Sequence, residues 1–211
     1  MKNTNQLGRS MVEMLGVLTV IGVLSAGGLA GYGKAMHKYR VEKAISYISD
    51  AIIEYQLFLK RNIGAYPKEK NKMAQSAKEY GLLSSCQPQN SLIAGPEYQT
   101  CRFSLGEVYP HFSIDEEANA TYYTYMLFAT LLKSPKQSCI DFLAPNWSKI
   151  IHQKLWRKGK LWITSNLGFQ ILYSSSVNKL SLSGIIESCN AVCGDGATYC
   201  SVVFDFTTIR Y

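Results

Sequence analysis

A single carboxylate, that of Glu13, stands at the head of a long apolar stretch. Residues 14–33 are twenty consecutive residues without a charge, and about 20 apolar residues cross a bilayer as a helix. A charge near the membrane core costs about 2.5–3.5 kcal/mol, so an ionisable group there is a functional candidate that needs a partner. The plain alternative is an interfacial glutamate that faces water. The stretch exceeds the apolar core of a cleavable secretory signal, about 7–15 residues, so we predict that it is retained.

The six cysteines are the second set of residues that could do chemistry. All of them follow the apolar stretch and their number is even, which predicts disulfides in an oxidising compartment. A metal site is the weaker alternative, because Cys-x-x-Cys pairs are absent and only three histidines could add nitrogen ligands. Six cysteines allow fifteen connectivities. The working expectation, one choice among these, is Cys86–Cys101, Cys139–Cys189 and Cys193–Cys200.

A basic segment with interleaved tryptophans lies in the second half of the chain. Its cations include Lys154, Arg157, Lys158 and Lys160, and the whole chain carries a net charge of +7. Such a segment could bind DNA or another anionic surface, although a solvated face is the favoured interpretation. The sequence contains no zinc-binding histidine pair, phosphate-binding loop or nucleophile elbow. We therefore predict that the chain is not an enzyme and expect no cofactor and no metal.

The elements that position these residues begin with a long helix. Apolar residues from position 41 onward recur at spacings of three and four, with polar residues between them. Because this pattern continues the apolar stretch without a break, it predicts one helix over residues 11–61. Its first half is apolar on all sides and requires membrane or other protein, whereas its second half has one apolar stripe for its own domain. Asn62, Gly64 and Pro67 supply a stop signal. The stripe consists of Val41, Ala44, Ile45, Ile48, Ile52, Tyr55 and Leu59.

The remainder of the chain predicts an α+β domain with an antiparallel sheet against the long helix. Residues 109–115 and 121–132, separated by acidic and small residues, indicate a β-hairpin, with a helix as the alternative for 121–132. A short helix is expected near 71–80. The Ser-Pro-Lys-Gln sequence at 134–137 favours a capped helix start, and this helix should end before Pro145. Four further segments are predicted to be strands: 161–164, 169–174, 180–186 and 201–207.

The beginning of the chain resembles a type IV prepilin. In that family a short basic leader ends in glycine, a peptidase cuts after it and methylates the new amine, and the fifth mature residue is a glutamate followed by an apolar helix. Here Gly8 would precede the cut, Arg9 would become the first residue, and Glu13 would be the fifth. The chain departs from the family pattern at Arg9, where an apolar residue is usual. It also has Gly22 and Gly28 in a half of the helix where pilins often carry proline.

The resemblance implies a pilin-like α+β fold and a structural role in a type IV pilus that serves adhesion, motility or uptake. Residues 1–8 would be the leader, residues 9–36 a transmembrane and polymerisation helix, and residues 37–211 the globular domain. The subunit would first span the inner membrane once, with its domain in the periplasm, and then join an extracellular filament. Its partners would be copies of itself, the prepilin peptidase and the pilus or secretion assembly platform. Glu13 would pair with a neighbour's N-terminal ammonium.

Two other functions remain open at this point. A minor pilin or a type II secretion pseudopilin would show the same features, although six cysteines and a length of 211 residues favour a pilin. A single-span, membrane-anchored binding domain that never polymerises would keep an uncut N-terminus.

Overall fold

The computed structural model describes residues 6–61, 79, 81–93, 95, 99–117, 120–145, 147, 158–173 and 181–209. The chain divides into two compact units, Met1–Arg40 and Val41–Tyr211. One helix, α1 (Gln6–Arg61), contributes residues to both units. The prediction of a single continuous helix is therefore confirmed, although it begins at Gln6 instead of near residue 11. The expected stop signal after Arg61 lies outside the described residues.

In the first unit, α1 exposes apolar side chains on all sides. Every side chain from residue 11 to residue 35 is exposed. The helix is long and apolar enough to cross a membrane, and none of the apolar window that meets this test is buried within the chain. This exposure agrees with the predicted all-round apolar half.

In the second unit, one stripe of α1 is buried in the core. Val41, Ala44, Ile48, Ile52 and Tyr55 are all buried, as predicted. Their spacing of three and four residues keeps them on one face of the helix. Ile45 is half-buried and packs against the same core, and two residues not in the predicted stripe, Ala51 and Phe58, are buried with it. The side chain of Leu59, the last predicted member, lies outside the described residues.

Among the described residues, seven strands form one sheet in which every neighbouring pair is antiparallel. The spatial order is β1-β2-β3-β4-β7-β5-β6. The predicted fold class, α+β with an antiparallel sheet, is confirmed. The strands are β1 (Pro88–Asn90), β2 (Gln99–Arg102), β3 (Gly106–Glu117), β4 (Ala120–Leu131), β5 (Lys158–Ser165), β6 (Gly168–Tyr173) and β7 (Cys200–Ile209).

The hairpin of β3 and β4 pairs without interruption from Gly106 opposite Leu131 to Glu117 opposite Ala120. The predicted hairpin is confirmed, but β3 includes two of the acidic residues that were expected to separate its strands. At the open end, a Cβ on Gly106 would lie 1.9 Å from the carbonyl oxygen of Thr130. A side chain cannot occupy that distance, so only glycine allows β4 to approach β3 this closely.

Two shorter helices complete the described domain. Helix α2 (Pro135–Leu143) begins and ends where it was predicted. The expected cap does not form, because Ser134 adopts a left-handed conformation (φ 46°, ψ 65°) and its side chain accepts no capping hydrogen bond. The expected helix near 71–80 falls almost wholly outside the described residues.

The prediction of a strand at 180–186 is wrong, because this segment begins helix α3 (Leu182–Cys193). Ser181 caps the helix by accepting a hydrogen bond from the backbone N–H of Gly184 at 3.1 Å. The β-branched residues suggested a strand, but burial along the whole segment follows a helical period. The buried side chains are Ile185, Ser188, Cys189, Val192 and Cys193.

The core lies between the stripe of α1, helix α2 and one face of the sheet. Tyr55 of α1 stacks on Tyr125 of β4 with ring centroids 3.9 Å apart. Farther along the sheet, Phe142 of α2 and Trp147 pack edge-on against Phe204 of β7, at 6.4 and 4.9 Å. Large aromatic contacts thus fix α1 and α2 on the same sheet face.

Candidate assembly site

Glu13 lies in the N-terminal part of α1 and is exposed. Gly8 and Arg9 belong to the same helix. Helical spacing places Arg9 and Glu13 four residues apart, on one face and one turn from each other. Gly16 follows three residues after Glu13 on that face, and nothing lies within 4 Å of the position that its Cβ would occupy. The helix surface beside the carboxylate is therefore narrow and open to another chain.

The surroundings of Glu13 in the sequence suit ion pairing better than catalysis. From residue 1 to residue 36 it is the only acidic residue, and this part of the chain has no histidine or cysteine. Its two neighbours in the sequence, Val12 and Met14, are apolar and exposed. Within residues 1–36, therefore, the carboxylate has no second acid, histidine or cysteine that could share acid–base chemistry or a metal ion with it. What it can do is bind a cation that is brought to the same surface.

Of the four cations named in the predicted basic segment, the structure describes the side chain of Lys160 alone. Lys160 is exposed on β5, directly opposite Asp205 of β7. Lys158 begins β5, but its side chain lies outside the described residues. Lys154 and Arg157 lie outside them altogether, so the anion-binding surface stays a prediction.

The six cysteines form three disulfides. Cys86–Cys101 joins the segment before β1 to β2, with Cα atoms 5.4 Å apart. Cys139–Cys189 joins α2 to α3 (Cα–Cα 5.9 Å), and Cys193–Cys200 joins α3 to β7 (5.3 Å). All six are buried. The pairs are those named from the sequence as one choice among fifteen, and no cysteine in the described chain is free.

The sequence does not predict one feature of the disulfides: the last two lie close enough for their sulfur atoms to form one cluster. The Sγ atoms of Cys139, Cys193 and Cys200 lie within 4.8 Å of one another. The signal was present in the spacing of Cys189 and Cys193, which a helix places on one face. A strand at 180–186, as the sequence predicts, would not continue into the helix that gives the two cysteines this spacing.

A second missed feature is the buried carboxylate of Glu107, which is 3% exposed. It accepts hydrogen bonds from the Ser91 hydroxyl at 2.7 Å, the Leu92 backbone N–H at 2.9 Å and the Thr100 hydroxyl at 3.2 Å. These donors come from two separate segments, so the local sequence around Glu107 offers no sign of them. The arrangement is structural, because it is closed by the chain's own donors.

Comparison with known proteins finds no matching family model and no matching curated sequence. Among solved structures, the chain is similar to the type IV b pilin from Salmonella typhi at 15% sequence identity. The match covers 82% of this chain and 97% of that chain, with a TM-score of 0.40. A likeness at this identity and TM-score does not bear on function.

Proposed function

We propose that the chain is a pilin-like structural subunit that assembles through its N-terminal helix into a type IV filament. The supporting observation is the contrast along α1. Its N-terminal part carries Glu13 and exposes apolar side chains on all sides, while the stripe from Val41 onward is buried in a folded domain. An apolar surface of this size in contact with water is unfavourable. It requires a bilayer first and the helices of other subunits afterwards.

The proposed roles of the N-terminal residues follow from their order. Residues 1–8 are a leader that is removed after Gly8, where the absence of a side chain lets a peptidase approach the backbone closely. Arg9 then carries a new amine, which is methylated. Residues 9–36 hold the subunit in the inner membrane, and residues 37–211 form the domain on the periplasmic side and later on the filament surface.

The proposed role of Glu13 is to pair with the N-terminal ammonium of a neighbouring subunit. Both charges sit at the head of an apolar helix, so they are brought together when two helices pack side by side with a stagger of about one turn. Within a helical bundle the dielectric constant is low, and an unpaired carboxylate there is strongly unfavourable. Pairing thus favours one register between subunits, because a neighbour in any other register leaves Glu13 without a cation.

Mass spectrometry of the N-terminal peptide tests the processing step. Protein isolated from membranes should begin at Arg9 and carry one N-methyl group. Gly8→Val should accumulate as uncut chain, because a branched side chain blocks the approach to the backbone. Gly16→Val, a matched change of glycine inside the helix, should be cut normally. Wild-type protein that begins at Met1 would instead identify a membrane-anchored domain that does not polymerise.

Filament composition distinguishes the bulk subunit from a minor one. We propose a bulk pilin, and filaments purified from the producing strain should consist mainly of this chain. If the chain is processed at Gly8 but is only a trace component, or is found with a secretion system, it is a minor pilin or a pseudopilin.

A further inference from the structure

The face of the sheet that points away from the core carries a row of aromatic rings. On β5, Leu161 and Ile163 belong to the core, so the alternation of side chains places Trp162 on the opposite face. There the centroid of its ring lies 5.9 Å from that of Phe128 on β4 and 6.5 Å from that of Phe169 on β6, in both cases edge to face. The row therefore reaches β6, the last strand in the order of the described sheet.

Part of this row packs the fold, and part of it is left in contact with water. Val203 of β7 lies opposite both Phe128 and Trp162 in the pairing of the strands and is completely buried. These two rings therefore have a packing role. On β6, in contrast, Phe169 is 69% exposed and Ile171 is 54% exposed. Large apolar side chains that are exposed together indicate a surface that another molecule covers.

The exposed end of the row forms a shallow groove together with one cation and one anion. Lys160 of β5 lies directly opposite Asp205 of β7, and both side chains line the groove beside Trp162, Phe169 and Ile171. Its volume is about 330 Å³, which is at the lower end of the range for small-molecule sites, roughly 300–1,000 Å³. Such sites combine an apolar surface with a few polar groups that fix the orientation of the ligand.

The two charges determine which class of ligand suits the groove. The Lys160 ammonium supplies hydrogen-bond donors and the Asp205 carboxylate supplies acceptors, and their charges cancel. Lys160 belongs to the predicted anion-binding segment, but the carboxylate opposite it repels an anion at this place. A cation is repelled by Lys160 in the same way. The groove therefore favours a neutral ligand that has hydroxyl groups at its rim and a flat apolar face.

We propose that this groove binds a neutral saccharide, which stacks on Phe169 and hydrogen-bonds to Lys160 and Asp205. A pyranose ring has C–H bonds on one face, and these are attracted to the negative face of an aromatic ring. Its hydroxyl groups both donate and accept hydrogen bonds, so they satisfy the carboxylate and the ammonium at once. Hydrogen bonds to charged groups are stronger than those between neutral groups.

The biological setting of this inference rests on the proposed function, because an assembled filament would carry the groove to saccharides on another surface. The binding itself requires only the folded domain, since all five lining residues belong to the unit Val41–Tyr211. It can therefore be measured on the unassembled subunit.

The test uses the full-length chain in phosphatidylcholine nanodiscs, because a detergent with a sugar headgroup would compete for the groove. The chain is applied to an array of neutral oligosaccharides that end in glucose, galactose, mannose, N-acetylglucosamine or N-acetylgalactosamine. The same array carries sialylated and sulfated glycans and duplex DNA. We expect retention on at least one neutral oligosaccharide, above the level on every anionic probe. The Kd of the retained oligosaccharide is then measured in solution by isothermal titration calorimetry.

Substitutions at Phe169 separate stacking from general apolar contact. Phe169→Leu keeps a large apolar side chain but has no aromatic face, so it should raise the Kd about tenfold. Phe169→Trp keeps an aromatic face and should bind like the wild type. The matched control, Leu182→Ala, shortens an exposed apolar side chain on α3 and should leave the Kd unchanged. Near-UV circular dichroism checks that each variant is folded.

Three results would overturn the proposal: no retention on any neutral oligosaccharide, stronger retention on DNA or acidic glycans than on neutral ones, or an unchanged Kd for folded Phe169→Leu. Failure of the proposed function would be seen separately. A chain that binds the oligosaccharide but is neither cut at Gly8 nor assembled would support the saccharide site and refute the role as a filament subunit.

Discussion

Glu13 carries the only negative charge in the first 41 residues, and the uncharged stretch of residues 14–33 follows it directly. Among the described residues, the buried core begins at Val41, so Glu13 takes no part in packing the domain. A residue that costs free energy in a membrane and stabilises nothing in its own domain is expected to act between chains.

We predict that Glu13→Ala abolishes or sharply reduces filaments while the domain stays folded and the chain stays in the membrane. Removing the charge should ease insertion. In the bundle, breaking one member of a buried ion pair costs about 3–5 kcal/mol, because the partner's charge is left uncompensated. The measurement is the yield of surface filaments beside the amount of mature subunit in the membrane pool.

Two variants separate charge from other effects of the Glu13 substitution. Glu13→Gln keeps the size and an acceptor oxygen but not the charge, so it should resemble Glu13→Ala. Glu187→Ala removes an exposed acid from α3 and should assemble normally. Normal filaments from Glu13→Ala would refute the pairing, and loss of that variant from the membrane pool would assign Glu13 to insertion or stability.

Tyr125 should make the domain sensitive to alkali. Burial raises the pKa of its hydroxyl far above the usual range, and the negative charge of Glu54 adds to this, as does that of Tyr47 once Tyr47 is ionised. The unfolded chain releases this proton above about pH 10, whereas the native state retains it. Since the native pKa is raised, the stabilisation is complete below about pH 10 and is lost above it, at about 1.4 kcal/mol per pH unit.

Urea unfolding of wild type and Tyr125→Phe between about pH 9 and pH 11.5 tests this expectation. The substituted chain lacks the titrating group, so its free energy of unfolding should fall less steeply above pH 10. The difference in slope should approach one proton. Parallel curves for the two proteins would show that Tyr125 ionises equally in both states.

At the residue scale, the sequence predicts features that depend only on the order of residues along the chain. A carboxylate inside an apolar run can be recognised without a structure, and so can the stripe from Val41 to Tyr55. The role of Glu107 cannot, because its three donors come from Ser91, Leu92 and Thr100, which reach it only when β1, β2 and β3 are assembled.

At the scale of elements, α3 shows where local preference loses to tertiary context. Two adjacent isoleucines, Ile185 and Ile186, favour a strand. A helix forms instead, because it is capped by Ser181 and buries Ile185 and Cys189 on one face. Elements with a long uniform pattern, such as α1 and the hairpin, were predictable because many residues agree on one period.

Glu107 links three elements, and we predict that Glu107→Gln lowers the free energy of unfolding by about 1–3 kcal/mol. The glutamine amide has an NH2 group in place of one acceptor oxygen. This NH2 group then faces a hydroxyl or N–H group from which the carboxylate had accepted a hydrogen bond. Because Glu107 is only 3% exposed, water cannot replace the lost hydrogen bond. The measurement is urea unfolding of the detergent-solubilised chain.

The control for this substitution is Glu187→Gln, the same chemical change at an exposed position of α3. Surface substitutions of this kind usually change stability by no more than about 0.5 kcal/mol. If Glu107→Gln unfolds at the same urea concentration as Glu187→Gln, the three hydrogen bonds of Glu107 do not stabilise the sheet edge.

At the scale of the whole molecule, the chain combines two units with different needs. Met1–Arg40 contains none of the buried core among the described residues, and Val41–Tyr211 contains all of it. The three disulfides also lie within the second unit. Cores that close within one unit let that unit fold by itself, which is what an assembling subunit requires if its apolar helix is to change surroundings.

We therefore predict that residues 37–211 fold without the rest of the chain. The truncated protein should be monodisperse without detergent, contain no free thiol and unfold within about 2–4 °C of the full chain in detergent, which corresponds to about 1 kcal/mol.

Residues 53–211 provide the contrasting control, because this truncation also removes Val41, Ile48 and Ile52. Each large buried side chain is worth about 1.5–3 kcal/mol, against a total stability of about 5–15 kcal/mol for a domain. That shorter chain should aggregate or remain unfolded, as judged by near-UV circular dichroism and light scattering. If residues 37–211 also fail to fold, the part of α1 before residue 37 stabilises the domain. The claim that only the part of α1 from Val41 onward supports the domain would then be wrong.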